Sequence, residues 1–531
     1  MKLDLILENS RIIDGTGRPA YIGDVGIYNG MIVEIGTLKN MEAEERIDIN
    51  GDVLCPGLVD SHCHTDMYAE QFPEALGKIM QGVTTDVCGL CGDSPAPVGN
   101  GHLEEFQAHQ TYGLPGARPF RPLSFKEYGQ IMAEGTSTNM ALFVGNANLR
   151  VHAIGYEDRP ASQKELDEMA GMLKESMGEG AFGLSTGLTY VPSGFSREEE
   201  LAELCKYLVP FDGIYNSHMR NEGDRIEEAI SEVIRILQKS GCRGHISHLK
   251  LSGIKNHGKA EKCLKLIDEA RNDGIDLTFD VYPYTAGSCG LKTLLPPWIL
   301  ERGIEADEQA MMESENRREI QRGLQDDSWD NLLLNCGKDQ IIISSAGDQK
   351  EIEGKSLGQI CRELEIEADE ALIRILGQTH GQASMIYYAL SEEDLQTFMK
   401  HPACMIGTDA FARNYDGPTA TGRPHPRNYG GFPRMIRTYL LEKKVLGLEE
   451  GIARMTSLPC RFFGIHNRGR VQKGYGADLL VFSPDKIREA GTYMEPWKKP
   501  EGIRYVILNG AIAVKEGEPC DLRRGRVLSK N

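Results

Sequence analysis

Apolar and polar residues alternate at both ends of the 531-residue chain, a pattern typical of half-buried β-strands. Near the start, DVGIYNG and MIVEIG meet at Asn29-Gly30, a residue pair that favours a tight hairpin turn. Near the end, ADLLVFS and IRYVIL precede a second Asn-Gly pair at 509–510. Neither end is long enough to close a hydrophobic core alone. We therefore predict that residues 1–56 and 466–531 combine into one small β-sandwich.

The middle of the chain alternates strand-like runs with amphipathic helices. GIYNSH, RGHISHLK and IDLTFDVYPY are apolar runs of strand length, and helical stretches separate them. The first of these helices should end at Gly241. Its apolar residues recur at helical spacing: Ile226, Ile230, Val233 and Leu237.

Repeated strand–helix units predict a parallel sheet. Ser196 and Glu199 have the spacing of a capping box ahead of one further helix. About 400 residues of such units, 57–465, favour an α/β fold with a (β/α)8 barrel. An open doubly wound sheet is the alternative, but no GxGxxG follows a first strand. The charged segment 288–345 breaks the rhythm, and we interpret it as an inserted lid or small subdomain.

Composition narrows the class of protein. Hydrophobic residues at 40% and charged residues at 26% are typical of a soluble globular chain. A net charge of −19 disfavours nucleic-acid partners, because phosphate backbones are repelled. No apolar run is long enough to cross a membrane, and the 13 scattered cysteines without an export signal predict a reducing cytoplasm. The sequence carries no signal for the oligomeric state.

Four histidines lie where strand-like runs end. His62 and His64 follow a Pro-Gly turn and an apolar run. Residues two apart on a strand point to the same face, so both rings could bind one ion. His218 ends GIYNSH and His248 ends RGHISH. Because the carboxyl ends of barrel strands converge on one site, four such histidines favour a metal centre over buried structural histidines.

Two further residue types fit a metal site. Asp409 ends the run ACMIGTD, where a carboxylate could act as base towards metal-activated water; a turn or N-cap aspartate is the alternative. Cys88-x-x-Cys91 has no second CxxC to complete a zinc ribbon. A single thiolate in a mixed Cys/His zinc site fits better. The spacing alone does not choose between Cys88 and Cys91.

Taken in order, these motifs resemble the amidohydrolase superfamily and, within it, the N-acyl-D-amino-acid deacylases (D-aminoacylases). The resemblance covers nearly the whole chain. Leu90 stands where the family usually has asparagine, which leaves the neighbouring thiolate of Cys91 in place. The matching segments are Pro56-Gly57 ahead of Asp60-x-His62-x-His64-x-Asp66, GVTT (82–85), GLCG (89–92), STGLTY (185–190), SHMRNEGD (217–224), SHLKLSG (247–253), YPYTAGS (282–288), GTDA (407–410) and HPRNYGGFPR (425–434).

This resemblance implies a metal centre and a reaction. Cys91, His218 and His248 would hold one tight Zn²⁺, and His62 with His64 would form a second, weaker position. Cys91 takes the place of the carboxylated lysine of many amidohydrolases, which argues for one catalytic zinc. The implied reaction is hydrolysis of an N-acyl-D-amino acid to a carboxylate and a free D-amino acid, with Asp409 as general base and then acid.

The resemblance also implies the contacts of a small N-acyl amino acid. Lys250 would bind the α-carboxylate, with Tyr282 and Ser288 assisting; a solvated rim lysine is the alternative for Lys250. Tyr190 ends a substrate-contacting turn and could stabilise the oxyanion, and Arg427 is a further anion contact.

Two other functions remain open from the sequence. A hydantoinase- or dihydroorotase-like enzyme would cleave a cyclic amide, but such enzymes usually carry the carboxylated lysine. A catalytically inactive scaffold is the second alternative, but relatives of that kind typically lose metal ligands, which this chain retains.

Overall fold

The computed structural model describes residues 2–109 and 119–530. Its strands, in chain order, are β1 (Leu3–Ile12), β2 (Tyr21–Tyr28), β3 (Met31–Gly36), β4 (Ala43–Asp48), β5 (Val53–Pro56), β6 (Leu58–Asp60), β7 (Cys63–His64), β8 (Val83–Cys88), β9 (Asn139–Leu142), β10 (Val144–Gly145), β11 (Gly183–Gly187), β12 (Ile214–His218), β13 (Arg243–Ile246), β14 (Leu277–Val281), β15 (Ala286–Gly290), β16 (Ile341–Ser345), β17 (Ser384–Tyr388), β18 (Cys404–Ile406), β19 (Ala410–Phe411), β20 (Leu479–Phe482), β21 (Ile503–Leu508), β22 (Ala511–Lys515) and β23 (Glu518–Pro519).

The helices alternate with the central strands. They are Asp66–Ala69, Leu76–Ile79, Leu103–His109, Phe125–Ile131, Asn146–Ile154, Gln163–Gly178, Glu198–Lys206, Ile226–Ser240, Ala260–Asn272, Pro297–Leu300, Glu308–Met312, Ser314–Gly323, Leu332–Cys336, Leu357–Leu364, Ala368–Gln378, Glu392–Lys400, Arg427–Arg434, the π-helix Met435–Glu442, Leu448–Arg454 and Ser457–Phe463. No helix of the described part of the chain is both long enough and apolar enough to span a bilayer.

Both ends of the chain contribute strands to one sheet. Its order is β23-β22-β21-β20-β5-β1-β2-β3, with β4 beside β1, and the antiparallel pair β5–β20 joins the two ends. The hairpins β2–β3 and β21–β22 form at the two Asn-Gly pairs. Asn29 and Asn509 adopt φ of 49° and 48°, so both predicted turns are confirmed.

The central strands pair in parallel and form two sheets. One has the order β6-β8-β9 and the other β10-β11-β12-β13-β14-β18. Backbone hydrogen bonds link the two sheets at both margins. Ser61 N donates to Ile406 O at 3.4 Å, and Phe182 N donates to Leu142 O at 2.9 Å. The molecule therefore has the predicted α/β class, with strands and helices alternating along the chain.

The helix Ile226–Ser240 shows why these units fold as they do. Its predicted apolar face is buried, with Ile230 and Val233 fully inaccessible. Gly241 at φ 75° accepts the left-handed turn that ends the helix. The capping box at Ser196 is wrong: the helix Glu198–Lys206 begins after Arg197, and Ser196 Oγ instead donates to Asn146 Oδ1 at 3.0 Å.

The chain segment between β14 and β18 forms a separate antiparallel sheet. It has the order β15-β17-β16, so its strands come from 286–388. A hydrophobic cluster of its own, drawn from 291–389, packs around it, with Leu291, Ile343 and Leu372 fully buried. This unit extends beyond the segment 288–345 that the charge pattern marks, because the partner strand β17 comes later in the chain.

Candidate metal centre

The residues predicted to bind metal meet at the carboxyl ends of the parallel strands. His218 ends β12, Cys91 follows β8, and His248 follows β13. His64 ends β7, whereas His62 lies between β6 and β7, so the expectation that one strand carries both is wrong. All five side chains are buried, with at most 5% of any residue exposed.

Cys91 is the centre of this cluster. Its Sγ lies 3.3 Å from His62 Nε2, 3.7 Å from His218 Nδ1 and 3.4 Å from His248 Nε2. Ligand atoms around one tetrahedral zinc, bonded at about 2.0–2.3 Å, stand roughly 3.5 Å apart. The thiol can therefore join either histidine group, as Cys91 with His218 and His248, or with His62 and His64.

The chemistry of these donors fits zinc. Thiolate and imidazole are its preferred ligands, and all the candidate atoms are removed from water. Burial raises the pKa of the Cys91 thiol well above its ordinary value, so an uncompensated thiolate would be costly here. A bound cation reverses that cost, because a coordinating thiol is deprotonated.

Asp409 follows β18 and lies beside the histidines. Its Oδ1 is 3.2 Å from His64 Nε2 and 3.8 Å from His62 Nε2, and its Oδ2 is 2.9 Å from Arg427 Nη2. Burial alone would raise the pKa of Asp409. The Arg427 guanidinium and the hydrogen bond from His64 instead hold it well below its usual range, so the carboxylate is ionised at neutral pH.

Glu222 lies behind both outer histidines, which the sequence analysis did not foresee. Its Oε1 is 3.1 Å from His248 Nδ1, and its Oε2 is 3.8 Å from His218 Nε2. These are the ring nitrogens that point away from Cys91. A histidine that binds metal through one nitrogen carries a proton on the other, so the Glu222 carboxylate can fix the tautomer of His248, whereas His218 Nε2 has no hydrogen-bond partner among the described residues. The sequence signal for this residue is the position of Glu222 within the segment SHMRNEGD (217–224), which resembles the deacylase family.

A second layer of buried polar groups supports the first. Asp280 Oδ1 accepts from His248 N at 2.7 Å, and Asp280 Oδ2 is 2.8 Å from His245 Nε2. Beneath His62, Lys78 Nζ pairs with Asp60 and lies 3.2 Å from Asp86 Oδ1. Buried charges persist only when paired, so these groups hold the loops that carry the ligands.

Three site residues adopt strained backbone conformations. Cys91 has φ 54°, His248 has φ 34° and Asp409 has φ 53°. Non-glycine residues rarely occupy this left-handed region, and each such residue costs about 1–3 kcal/mol. The surrounding hydrogen bonds therefore hold these side chains where an unstrained loop would not.

A cavity of about 190 Å³ opens beside the histidines. Tyr190, Ser288 and Arg427 line it, together with Asp409. The Tyr190 ring meets His218 edge-on at 4.8 Å, and Ser288 Oγ donates to Met385 O at 2.8 Å. Three of the predicted substrate contacts therefore reach the same space as the candidate metal ligands.

The other two predicted contacts, Lys250 and Tyr282, line a smaller neighbouring cavity. Lys250 Nζ bonds to Glu222 Oε1 at 2.6 Å and lies 2.7 Å from His248 Nδ1. The Arg427 guanidinium stacks over the Tyr282 ring at 4.9 Å. Lys250 therefore contacts Glu222 and His248, and Tyr282 contacts Arg427.

Comparison with known proteins agrees with this geometry. A family model described as the amidohydrolase family matches residues 356–514. N-acyl-D-glutamate deacylase of Alcaligenes xylosoxydans xylosoxydans is 32% identical, over 100% of this chain and 97% of its own length. D-aminoacylase of the same organism is also 32% identical, over 99% of this chain and 98% of its own. The crystal structure of N-acyl-D-glutamate deacylase from Bordetella bronchiseptica, complexed with zinc and a phosphonate inhibitor, has a TM-score of 0.84 at 32% identity and covers 100% of both chains.

Fold and comparisons together define an enzyme of the amidohydrolase class. Full-length identity above 30% narrows the class further. The chain belongs to the N-acyl-D-amino-acid deacylase (D-aminoacylase) family.

Proposed function

We propose that this protein is a zinc-dependent deacylase that hydrolyses the amide bond of N-acyl-D-amino acids and releases a carboxylate and a free D-amino acid. The observation that carries the proposal is the position of Cys91 Sγ, 3.3–3.7 Å from nitrogens of His62, His218 and His248 and in one cavity with Asp409. Membership of the deacylase family supports the same reaction.

The tight metal position is assigned to Cys91, His218 and His248, and the weaker one to His62 and His64. Glu222 favours this assignment, because its carboxylate faces the outer nitrogens of His218 and His248. When bound, zinc supplies a Lewis acid for the substrate carbonyl and activates water at neutral pH.

The proton transfers belong to Asp409. Its Oδ2 is held by Arg427, and its Oδ1 faces the histidine cluster. An ionised carboxylate in that position accepts a proton from the attacking water and returns it to the leaving nitrogen, which departs poorly as an unprotonated amine. Tyr190 lies beside His218, where its hydroxyl can donate to the developing oxyanion.

The α-carboxylate of the substrate, which the resemblance gives to Lys250, is assigned here to Arg427, because Lys250 Nζ is already paired with Glu222 at 2.6 Å. Arg427 Nη2 bonds to Asp409 and to Ser288 O, whereas its buried Nε and Nη1 make no hydrogen bond with any described residue. A buried donor without a partner is costly, so a ligand carboxylate would satisfy these groups. Tyr282 supports this assignment because its ring packs against the Arg427 guanidinium. Lys250 donates to Glu222 instead.

One closed (β/α)8 barrel is assigned to eight strand positions, namely β6, β8, β9 continued by β10, β11, β12, β13, β14 and β18. Their parallel pairing and the marginal hydrogen bonds at Ser61 and Phe182 support closure. The shared terminal sheet is assigned to the β-sandwich, and the unit 286–390 to a cover over the cavity. The cysteines form no disulfide in the described chain, which supports a cytoplasmic location.

The test is a panel of N-acetyl-D- and N-acetyl-L-amino acids, with hydantoin and dihydroorotate as cyclic controls, assayed with added zinc. Turnover of the D-amides alone is expected. Turnover of L-amides alone, or of cyclic amides alone, would contradict the proposal. The two relatives at 32% identity carry different names, N-acyl-D-glutamate deacylase and D-aminoacylase, so the side chain of the substrate has to be inferred from the cavity of this chain.

A further inference from the structure

One arginine of the cavity differs from the other charged groups around it. Arg413 lies two residues beyond β19 and lines the same cavity as Asp409 and Arg427. Its Nη1 donates to Thr419 O at 3.0 Å and to Thr421 O at 3.4 Å. Its Nε is buried and makes no hydrogen bond with any described residue.

Charge pairing separates Arg413 from its neighbours. Arg427 has Asp409 at 2.9 Å, and Lys292 has Glu305 at 3.5 Å. Arg413 has no carboxylate partner within the described residues. Burial lowers its pKa, and the other nearby groups acting on it are the phenols of Tyr429 and Tyr68. A half-buried guanidinium without a counter-charge would be stabilised by an anion in the cavity.

The cavity wall beside Arg413 is polar. The loop 412–424 brings Thr421 to the wall, and Gly422 packs against Ser345. Ser344 Oγ and Ser384 Oγ, 2.9 Å apart, lie on the same part of the wall. Other parts of the wall are apolar, with Phe106, Tyr156 and Leu300. The hydroxyl-lined part provides further hydrogen-bond partners for an anionic group.

We propose that Arg413 anchors a subsite for a second carboxylate on the substrate, distinct from the α-carboxylate at Arg427. This inference rests on the proposed deacylase function. Within the described residues the Arg413 side chain donates hydrogen bonds only from Nη1, so the N–H groups of Nε and Nη2 remain for the ligand. Charge-assisted hydrogen bonds from guanidinium to carboxylate are among the strongest that proteins form.

The second carboxylate has two possible sources in an N-acyl-D-amino acid. It can belong to the side chain, as in N-acetyl-D-glutamate, or to a dicarboxylic acyl group, as in N-succinyl-D-alanine. Each source has an uncharged isostere, namely N-acetyl-D-glutamine and the terminal amide of N-succinyl-D-alanine. Comparison of kcat/KM within each pair isolates the charge from the shape.

The experiment measures these four substrates with zinc-loaded wild-type protein and Arg413→Gln. We expect one carboxylate to exceed its amide by about 10- to 100-fold in kcat/KM, which corresponds to one charge-assisted hydrogen bond. The favoured pair identifies the source. Arg413→Gln should abolish that preference while changing the amide less than threefold. Arg413→Lys should restore part of it, because the cation remains.

Arg423→Gln is the matched control, since Arg423 lies in the same loop and contacts Met494; its preference should equal that of wild type. Wild-type protein that turns over each carboxylate and its amide equally would overturn the proposal, whatever the variants do. An equal loss for all four substrates in Arg413→Gln would also overturn it, because a loop-stabilising role alone gives that result.

Failure of the proposed function is distinguishable, because wild type would then hydrolyse neither these compounds nor N-acetyl-D-leucine. Binding decides the subsite in that case. Calorimetric titration of wild type should show tighter binding for the carboxylate of one pair than for its amide. Equal affinities within both pairs would overturn the subsite.

Discussion

Arg427 Nη2 lies 2.9 Å from Asp409 Oδ2, and this ion pair fixes the orientation of the carboxylate in the cavity. With Oδ2 held, Oδ1 is left to face His64 at 3.2 Å. The arginine thereby keeps the carboxylate ionised and directs its second oxygen towards the histidine cluster.

The substitution Asp409→Asn should separate metal binding from turnover. The amide keeps the shape but cannot accept a proton, so we expect kcat to fall about 10²- to 10⁴-fold while bound zinc stays near the wild-type level. Metal analysis and steady-state kinetics measure the two quantities. Asp416→Asn, in the exposed part of the same loop, is the control. Full activity in Asp409→Asn would remove this residue from the role of base.

Glu222→Gln should weaken zinc binding without changing a ligand. Loss of the carboxylate removes the acceptor for His248 Nδ1 and the negative charge beside His218, and we expect about 10- to 100-fold lower zinc affinity. Competition with a chromophoric chelator measures this affinity. Glu228→Gln alters an exposed glutamate nearby and should leave the affinity unchanged. Wild-type affinity in Glu222→Gln would show that the carboxylate does not position the ligands.

The two metal positions should respond differently to loss of a ligand. Cys91→Ser should lose its zinc on dialysis against dilute chelator, because the thiolate serves the tight position. His62→Ala should retain close to one zinc per chain under the same dialysis. Metal content per chain checks both variants. The reverse order, with His62→Ala losing the metal first, would contradict the assignment of the tight position.

The buried Asp330 predicts a pH dependence of stability. Burial raises its pKa to about 7 from 3.8, and the nearby Glu222 carboxylate adds to the shift. Between these values the folded protein holds a proton that the unfolded chain has released, so stability falls as pH rises from about 4 to about 7.

Asp330→Asn removes this effect, because the side chain stays neutral at every pH. In excess zinc it should raise the free energy of unfolding at pH 8 by up to about 4 kcal/mol and leave it unchanged near pH 4. Denaturant titration at both pH values gives the comparison, with the exposed Asp327→Asn as control. Equal stability of Asp330→Asn and wild type at pH 8 would show that Asp330 does not hold this proton.

The sequence predicted best those features that local pattern determines. The helix Ile226–Ser240, with its buried face and its stop at Gly241, follows from spacing alone. The two Asn-Gly hairpins follow from backbone preference. The histidine positions at strand ends follow from the topology of parallel βα units.

Features that depend on contacts between distant parts of the chain could not be predicted from the sequence. Glu222 acts only because a turn returns it to His248, and Asp280 only because β14 lies beside β13. Ser196 has the spacing of a helix cap, but its hydroxyl donates a hydrogen bond to Asn146 of another helix instead. The strand β17 extends the inserted sheet to 388, and its nearest partner residue, Ser345, lies 39 residues before Ser384 in the chain.

The pairing of β5 with β20 has a consequence for how the chain is made. β5 leaves the ribosome some 420 residues before β20 does. For most of synthesis the edge of β5 that pairs with β20 therefore remains unpaired. Contacts of such large sequence separation also slow the final docking. Chains released early would expose that edge, and we expect them to be held by chaperones or to aggregate through it.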